Sequence, residues 1–147
     1  MPPRLRPLVR SRARVPAGCR AYHRAVTPAR ATAHVHEARL LLEQGADALA
    51  PGAAVTVALC GTWEHDGRCR WPHRTSVVQQ TGADLVVRVV FACPPAEEPN
   101  LRSRIVAALA TGRLAGPVGE SRWTLTGEVA GRLSAEEQTV GDRLLAS

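Results

Sequence analysis

The chain has 147 residues, 45% of them hydrophobic, which is enough for one domain with a conventional core. Its net charge of +6 comes from the first 36 residues, which hold eight arginines and no acid, whereas the rest carries eleven arginines against thirteen acids. This distribution excludes a strongly basic folded domain, and the sequence has no apolar run of the roughly 18 residues that a membrane helix needs.

Residues 1–33 are predicted to form a disordered leader, followed by a single α+β domain at residues 34–147. The leader is rich in proline and arginine and has no periodic apolar face that could be buried. A solvated tail is the simplest interpretation. The alternative is an electrostatic arm for nucleic acid or an acidic partner, although Tyr22 is the only aromatic residue there that could stack on a base. Arginines interrupt every stretch that could serve as a secretory signal, so we expect a cytoplasmic protein with no membrane association.

A helix is the predicted first element of the domain. It begins near His34, because Val35, Ala38 and Leu41 recur at helical spacing and Gly45 supplies a C-terminal stop. The other histidine of this stretch, at position 36, is expected to lie on the surface together with His34.

Three strands are predicted next, at residues 54–60, 75–80 and 85–93. The first alternates apolar and other residues, and the second and third are joined by a turn at residues 81–84. The third strand is apolar on both faces apart from Arg88, which is typical of a strand inside a sheet.

A second helix is predicted from the apolar stripe over residues 101–109, which Gly112 closes. On this helix Arg102 and Arg104 are expected to face solvent. A fourth strand is predicted around Trp123.

The last predicted helix starts at Ser134, which forms a capping box with Glu137. The order α-β-β-β-α-β-α predicts an α+β fold with a small antiparallel sheet of about four strands and helices on one face. Its first five elements follow the order of double-stranded RNA-binding domains. Those domains carry a basic cluster where this chain reads Glu97-Glu98-Pro99-Asn100, so the sequence does not support that function.

Residues 60–73 join the first two predicted strands and concentrate the chemistry of the chain. A hairpin needs only two to five connecting residues, so a longer connection indicates a functional or cross-linked segment. The segment contains Cys60, His65, Cys69 and His73 at the spacing C-x4-H-x3-C-x3-H. Zinc binds four nitrogen or sulfur ligands in a tetrahedron, and such spacings let a short segment wrap one ion.

The sequence therefore predicts a zinc site formed by these two cysteines and two histidines. Trp63 and Trp71 lie between the ligands and are expected to shield the site. Cys93 ends the third predicted strand and could replace one histidine as a ligand.

Other interpretations of this segment stay open. Cys60 could be a small buried residue at the end of a strand, with both histidines exposed. A disulfide from Cys60 to Cys69 is possible, but a reducing cytoplasm disfavours it. Cys60 could also be a thiolate nucleophile, with His65 or His73 as its base.

We accordingly expect a small binding or regulatory module whose segment 60–73 is organised by zinc. The alternatives are a thiol-dependent enzyme that uses Cys60 and a histidine of this segment, and a metal-free protein-interaction domain.

Overall fold

The computed structural model describes residue 27, residues 29–61 and residues 69–147, apart from the side chain of Gln79. Most of the predicted leader therefore lies outside the described residues, as do Trp63 and His65. Within the described residues, eight elements follow one another along the chain. They are β1 (Thr32–Leu42), α1 (Ala50–Cys60), β2 (His73–Gln79), β3 (Asp84–Cys93), α2 (Glu98–Ala110), β4 (Arg113–Gly116), β5 (Gly119–Ala130) and α3 (Ala135–Leu145).

The five strands form one antiparallel sheet in the order β2-β3-β1-β5-β4. Apart from the short strand β4 and the last helix, the chain runs β1-α1-β2-β3-α2-β5, and these four strands lie in the order β2-β3-β1-β5. This is the split βαβ arrangement, in which two βαβ units interleave their strands. The predicted α+β class with an antiparallel sheet is confirmed, with five strands instead of about four.

One face of the sheet forms the core with α1 and α2. Alternate residues of β1 and β3 point to this face, because successive side chains of a strand point to opposite sides. Phe91 of β3 is fully buried there, and Trp123 of β5 is buried in the same core and donates its indole N–H to the carbonyl of Leu109 over 2.8 Å. The α2 helix ends at this contact. The fully buried partners from the strands and helices are Ala38, Val55, Val87, Val89, Leu101, Ile105 and Leu109.

The opposite face of the sheet is partly covered by α3. Glu37 and Arg88 are cross-strand partners on this face, and Arg88 binds both Glu37 and Glu137 of α3. Hydrogen bonds from Arg88 hold the pKa of the Glu137 carboxyl below its ordinary value. The prediction of helices on one face therefore describes α1 and α2, whereas α3 lies against the other face.

The first two elements differ from their predicted types. Residues 32–42 form the strand β1 instead of a helix, and residues 50–60 form the helix α1 instead of a strand. His36 is buried, with 1% of its surface exposed, and His34 is half-buried and stacks on the ring of Phe91. The expectation that both histidines lie on the surface was wrong. Because the domain begins with a strand, the order of the double-stranded RNA-binding domains is also lost.

Most later elements are confirmed. β2 is joined to β3 by the predicted turn, in which the amide of Asp84 donates to the carbonyl of Thr81 over 3.1 Å. β3 is an interior strand and α2 covers the predicted stripe. The capping box of Ser134 and Glu137 is present at the start of α3.

Two details of this half of the chain were not predicted. The short strand β4 pairs with the start of β5. Arg102 is half-buried instead of solvent-facing, because its guanidinium donates to the carbonyl of Val35 over 2.9 Å and pairs with Glu98. Arg104 is exposed, as expected. No helix in the described part of the chain is both long enough and apolar enough to cross a membrane.

Candidate metal and thiol site

The site lies where the chain leaves α1 and returns as the edge strand β2. Cys60 is the last residue of α1, and Gly61 follows it with a φ of 81°, a conformation that a residue with a side chain rarely adopts. His73 begins β2 and pairs with Phe91 of β3. The helix end and the strand start therefore bring the two ends of the segment together.

Three side chains converge at this point. Cys60 and Cys69 form a disulfide, with their Cα atoms 6.0 Å apart. The Nδ1 atom of His73 lies 3.8 Å from the sulfur of Cys60 and 3.9 Å from the sulfur of Cys69. One ligand atom from each of the three residues lies within 4.8 Å of the other two, so this group could hold a metal ion once the sulfurs are reduced.

The backbone carbonyl of Trp71 orients two members of the group. It lies 2.9 Å from Nδ1 of His73 and 3.2 Å from the sulfur of Cys69. A carbonyl oxygen can only accept a hydrogen bond, so the first contact places a proton on Nδ1. The second contact becomes a hydrogen bond when Cys69 is a thiol.

The ring of Trp71 is buried, with 6% of the residue exposed, and its surroundings hold the peptide in place. Its indole N–H donates to Glu97 over 3.1 Å, and the guanidinium carbons of Arg70 and Arg104 each lie 4.6 Å from the centre of the ring. Trp71 belongs to the core cluster, and its role in shielding a metal stays a prediction.

The end of α1 contributes to the electrostatics of the site. A helix C-terminus carries a partial negative charge from its unpaired carbonyls, which favours a cation and disfavours an anion nearby. At Cys60 this charge works against a free thiolate. It favours a cation at this position.

A groove of about 640 Å³ opens beside the three residues. Its floor and walls come from the outer side of α1, from the edge strand β2 and from the end of α3, and they are mainly aliphatic. The residues that line it away from the sulfurs include Leu49, Ala53, Thr56, Val77 and Leu144. No signal in the sequence marked this groove, because one of its walls is the helix that was predicted as a strand.

The structure brings together three of the four predicted zinc ligands, Cys60, Cys69 and His73. The fourth, His65, lies outside the described residues. Cys93 is 2% exposed in the core and is not a member of the converging group, and burial raises the pKa of its thiol. The disulfide that the sequence disfavoured is the pair that forms.

Comparisons with known proteins give no further guidance: no protein-family model, no curated protein and no solved structure matches the chain. The functional argument therefore rests on the chemistry of this site, because a fold arrangement alone does not define a function.

Proposed function

We propose that the chain is a small binding or regulatory module in which zinc organises residues 60–73. The observation that carries this proposal is the convergence of Cys60, Cys69 and His73 within 4.8 Å. Two thiolates and an imidazole match the ligand preference of zinc, which is bound by sulfur and nitrogen in tetrahedral sites.

The surroundings of the group support a cation. The C-terminal end of α1 places partial negative charge next to Cys60. In many metal sites a histidine ligand donates its second N–H to a backbone carbonyl, which fixes the orientation of the ring. The contact between Nδ1 of His73 and the carbonyl of Trp71 orients the ring in this way.

The fourth ligand follows from the sequence. His65 lies between Cys60 and Cys69, at a spacing that allows it to reach the same ion. Cys93 is the substitute that the sequence offers. Because Cys60 and Cys69 must be thiolates to bind zinc, the site is competent only after their disulfide is reduced.

The test is the zinc content of reduced, untagged protein, measured by elemental analysis after dialysis. We expect about one zinc per chain in the unaltered protein. Single alanine replacements of Cys60, Cys69, His65 and His73 should each reduce the content to about a tenth or less, because an incomplete tetrahedron loses most of its affinity. Chelation should disorder the segment without unfolding the domain, which has its own core.

Two further variants complete the experiment. His34→Ala removes a histidine that is not a member of the converging group, and it should leave the zinc content unchanged. Cys93→Ala tests the substitute ligand, and it should lower the zinc content only if His65 is not the fourth ligand. If the reduced protein binds no zinc, or if zinc survives the loss of both Cys60 and Cys69, the proposal is wrong and a metal-free interaction domain becomes the better interpretation.

A further inference from the structure

Cys60 and Cys69 are placed so that they can form a disulfide. Their Cα separation of 6.0 Å lies in the range of unstrained disulfides, so the sulfurs can pair without displacement of the backbone. Both cysteines are only half-buried, and both line the groove. The other described cysteine, Cys93, is enclosed in the core and does not compete with them.

The groove determines which oxidants can reach the sulfurs. Its volume of about 640 Å³ is that of a small-molecule site, and its walls are mainly aliphatic. Apart from Cys60 and His73 at the site itself, the lining residues of α1 and β2 have no ionisable side chain. A molecule with an apolar body fits this groove better than a charged disulfide such as oxidised glutathione.

We propose that the reduced Cys60–Cys69 pair reduces organic hydroperoxides that bind in this groove. Two thiols and one hydroperoxide, R–O–O–H, give one disulfide, one alcohol and one water. The two sulfurs lose two electrons, and the O–O bond accepts them. This activity goes beyond metal binding and belongs to the metal-free protein, so each proposal can fail without the other.

The reaction proceeds in two steps. Nδ1 of His73 lies 3.8 Å from the sulfur of Cys60 and 3.9 Å from that of Cys69, so its position does not distinguish the two sulfurs. In the first step the sulfur of Cys60 attacks the terminal peroxide oxygen. An S–O bond forms, the O–O bond breaks, and the thiol proton of Cys60 goes to the departing alkoxide.

Cys69 completes the reaction. Its sulfur attacks the sulfenic acid on Cys60, the S–S bond forms, and the S–O bond breaks to release water. The thiol proton of Cys69 goes to His73 or to the leaving hydroxide. The product is the disulfide that the structure contains.

Binding in the groove, rather than a strongly activated thiolate, accounts for the expected rate. The C-terminal end of α1 disfavours the thiolate of Cys60, so a small oxidant that does not bind should react slowly. A hydroperoxide with an apolar body is concentrated at the sulfur by burial of its surface.

The test uses the full chain, reduced and stripped of metal. Cumene hydroperoxide and hydrogen peroxide are added in separate experiments, and the loss of free Cys60 and Cys69 is followed by alkylation and mass spectrometry. We expect cumene hydroperoxide to react about tenfold faster or more at equal low concentration, the gain that burial of a phenyl group provides. Its rate should saturate with concentration, and that of hydrogen peroxide should not.

Two variants of α1 test the groove itself. Thr56→Phe fills the groove and should remove the advantage of cumene hydroperoxide, whereas Val57→Phe adds the same bulk at a neighbouring position that does not line the groove and should retain it. Equal rates for the two oxidants in the unaltered protein would overturn the proposal without reference to any variant. So would an advantage that persists in a folded Thr56→Phe protein, or oxidation that does not join Cys60 to Cys69.

Discussion

At the scale of single residues, His36 is the side chain whose role differs most from its prediction. It is buried between α2 and the sheet, where the guanidinium of Arg102 donates to its Nδ1 over 3.3 Å. Its proton therefore lies on Nε2, which is 3.2 Å from a carboxylate oxygen of Glu128. Burial lowers the pKa of His36, the Glu128 carboxylate opposes this shift, and Arg102 adds to it.

A pH dependence of stability follows from this lowered pKa. In the unfolded chain a histidine takes up its proton near pH 6.5, whereas folded His36 resists protonation. The free energy of unfolding should therefore be independent of His36 above about pH 7. It should fall as the pH drops below about 6.5, by at most about 1.4 kcal/mol per pH unit. Urea unfolding between pH 5 and 8 measures this slope.

The matched variants are His36→Gln and Val35→Ala. The first removes the titrating ring and should flatten the slope. The second weakens the same strand without removing a titrating group, so its slope should remain that of the unaltered protein. Parallel pH profiles for His36→Gln and the unaltered protein would contradict the assignment.

At the scale of elements, His36 also explains why β1 was predicted as a helix. The buried side of β1 contains His36, Ala38 and Leu40, an alternation that is visible only when the histidine is counted as a core residue. With the histidine treated as polar, the remaining apolar residues fit helical spacing. Sequence alone could not show that Arg102 would donate a hydrogen bond to the buried imidazole of His36.

The error at α1 has a different cause. Most of this helix is buried, so it has no polar side that could produce a helical period. The alternation of Val55, Val57 and Leu59 then favoured a strand. Two signals did point to a helix: Pro51 in its first turn, and the alanines at positions 50, 53 and 54.

The contact of α3 with the sheet depends on a glycine. A Cβ atom at Gly141 would lie 2.7 Å from the Cβ of Ala33, which is closer than real Cβ atoms approach. Gly141→Ala should therefore destabilise the domain by about 1–2 kcal/mol, because overpacking outweighs the roughly 1 kcal/mol that alanine gains in a helix. Thermal unfolding measures the change.

A double-mutant cycle identifies the contact as the cause. Ala33→Gly removes the opposing methyl group, so Gly141→Ala in that background should cost less or become stabilising. If Gly141→Ala costs the same with either residue at position 33, the two elements do not meet there and the packing of α3 is misassigned.

At the scale of the whole molecule, the arginine-rich leader is predicted to be separable from the domain. Its sequence offers no apolar face, and the first described strand begins at Thr32. Removal of residues 1–29 should leave the thermal midpoint unchanged within about 2 °C. A large loss of stability would show that the leader packs on the domain.

Nucleic-acid binding by the same deletion protein provides the complementary measurement. If the leader is an electrostatic arm, affinity for a DNA or RNA duplex should fall steeply with salt and disappear with the deletion. Binding that is insensitive to salt and survives the deletion would instead place the interface in the folded domain.

The candidate site shows how far sequence reasoning extends across the molecule. The clustering of cysteine and histidine in residues 60–73 was sufficient to identify Cys60, Cys69 and His73 as a group. The groove beside them could not be predicted, since it is built from α1, β2 and the distant end of α3. Its walls depend on the tertiary arrangement rather than on any local pattern.

The position of Trp71 gives this site a built-in optical reporter. Two guanidinium groups lie over its indole, and its own peptide carbonyl contacts both Cys69 and His73. If the site binds a metal or the sulfurs change oxidation state, the hydrogen bonds to that carbonyl should change, and the peptide unit is covalently continuous with the ring. The fluorescence of Trp71 should therefore change when the site binds a metal or its sulfurs are reduced, without any added label. A Trp71→Phe variant gives the fluorescence of the other two tryptophans, which is then subtracted.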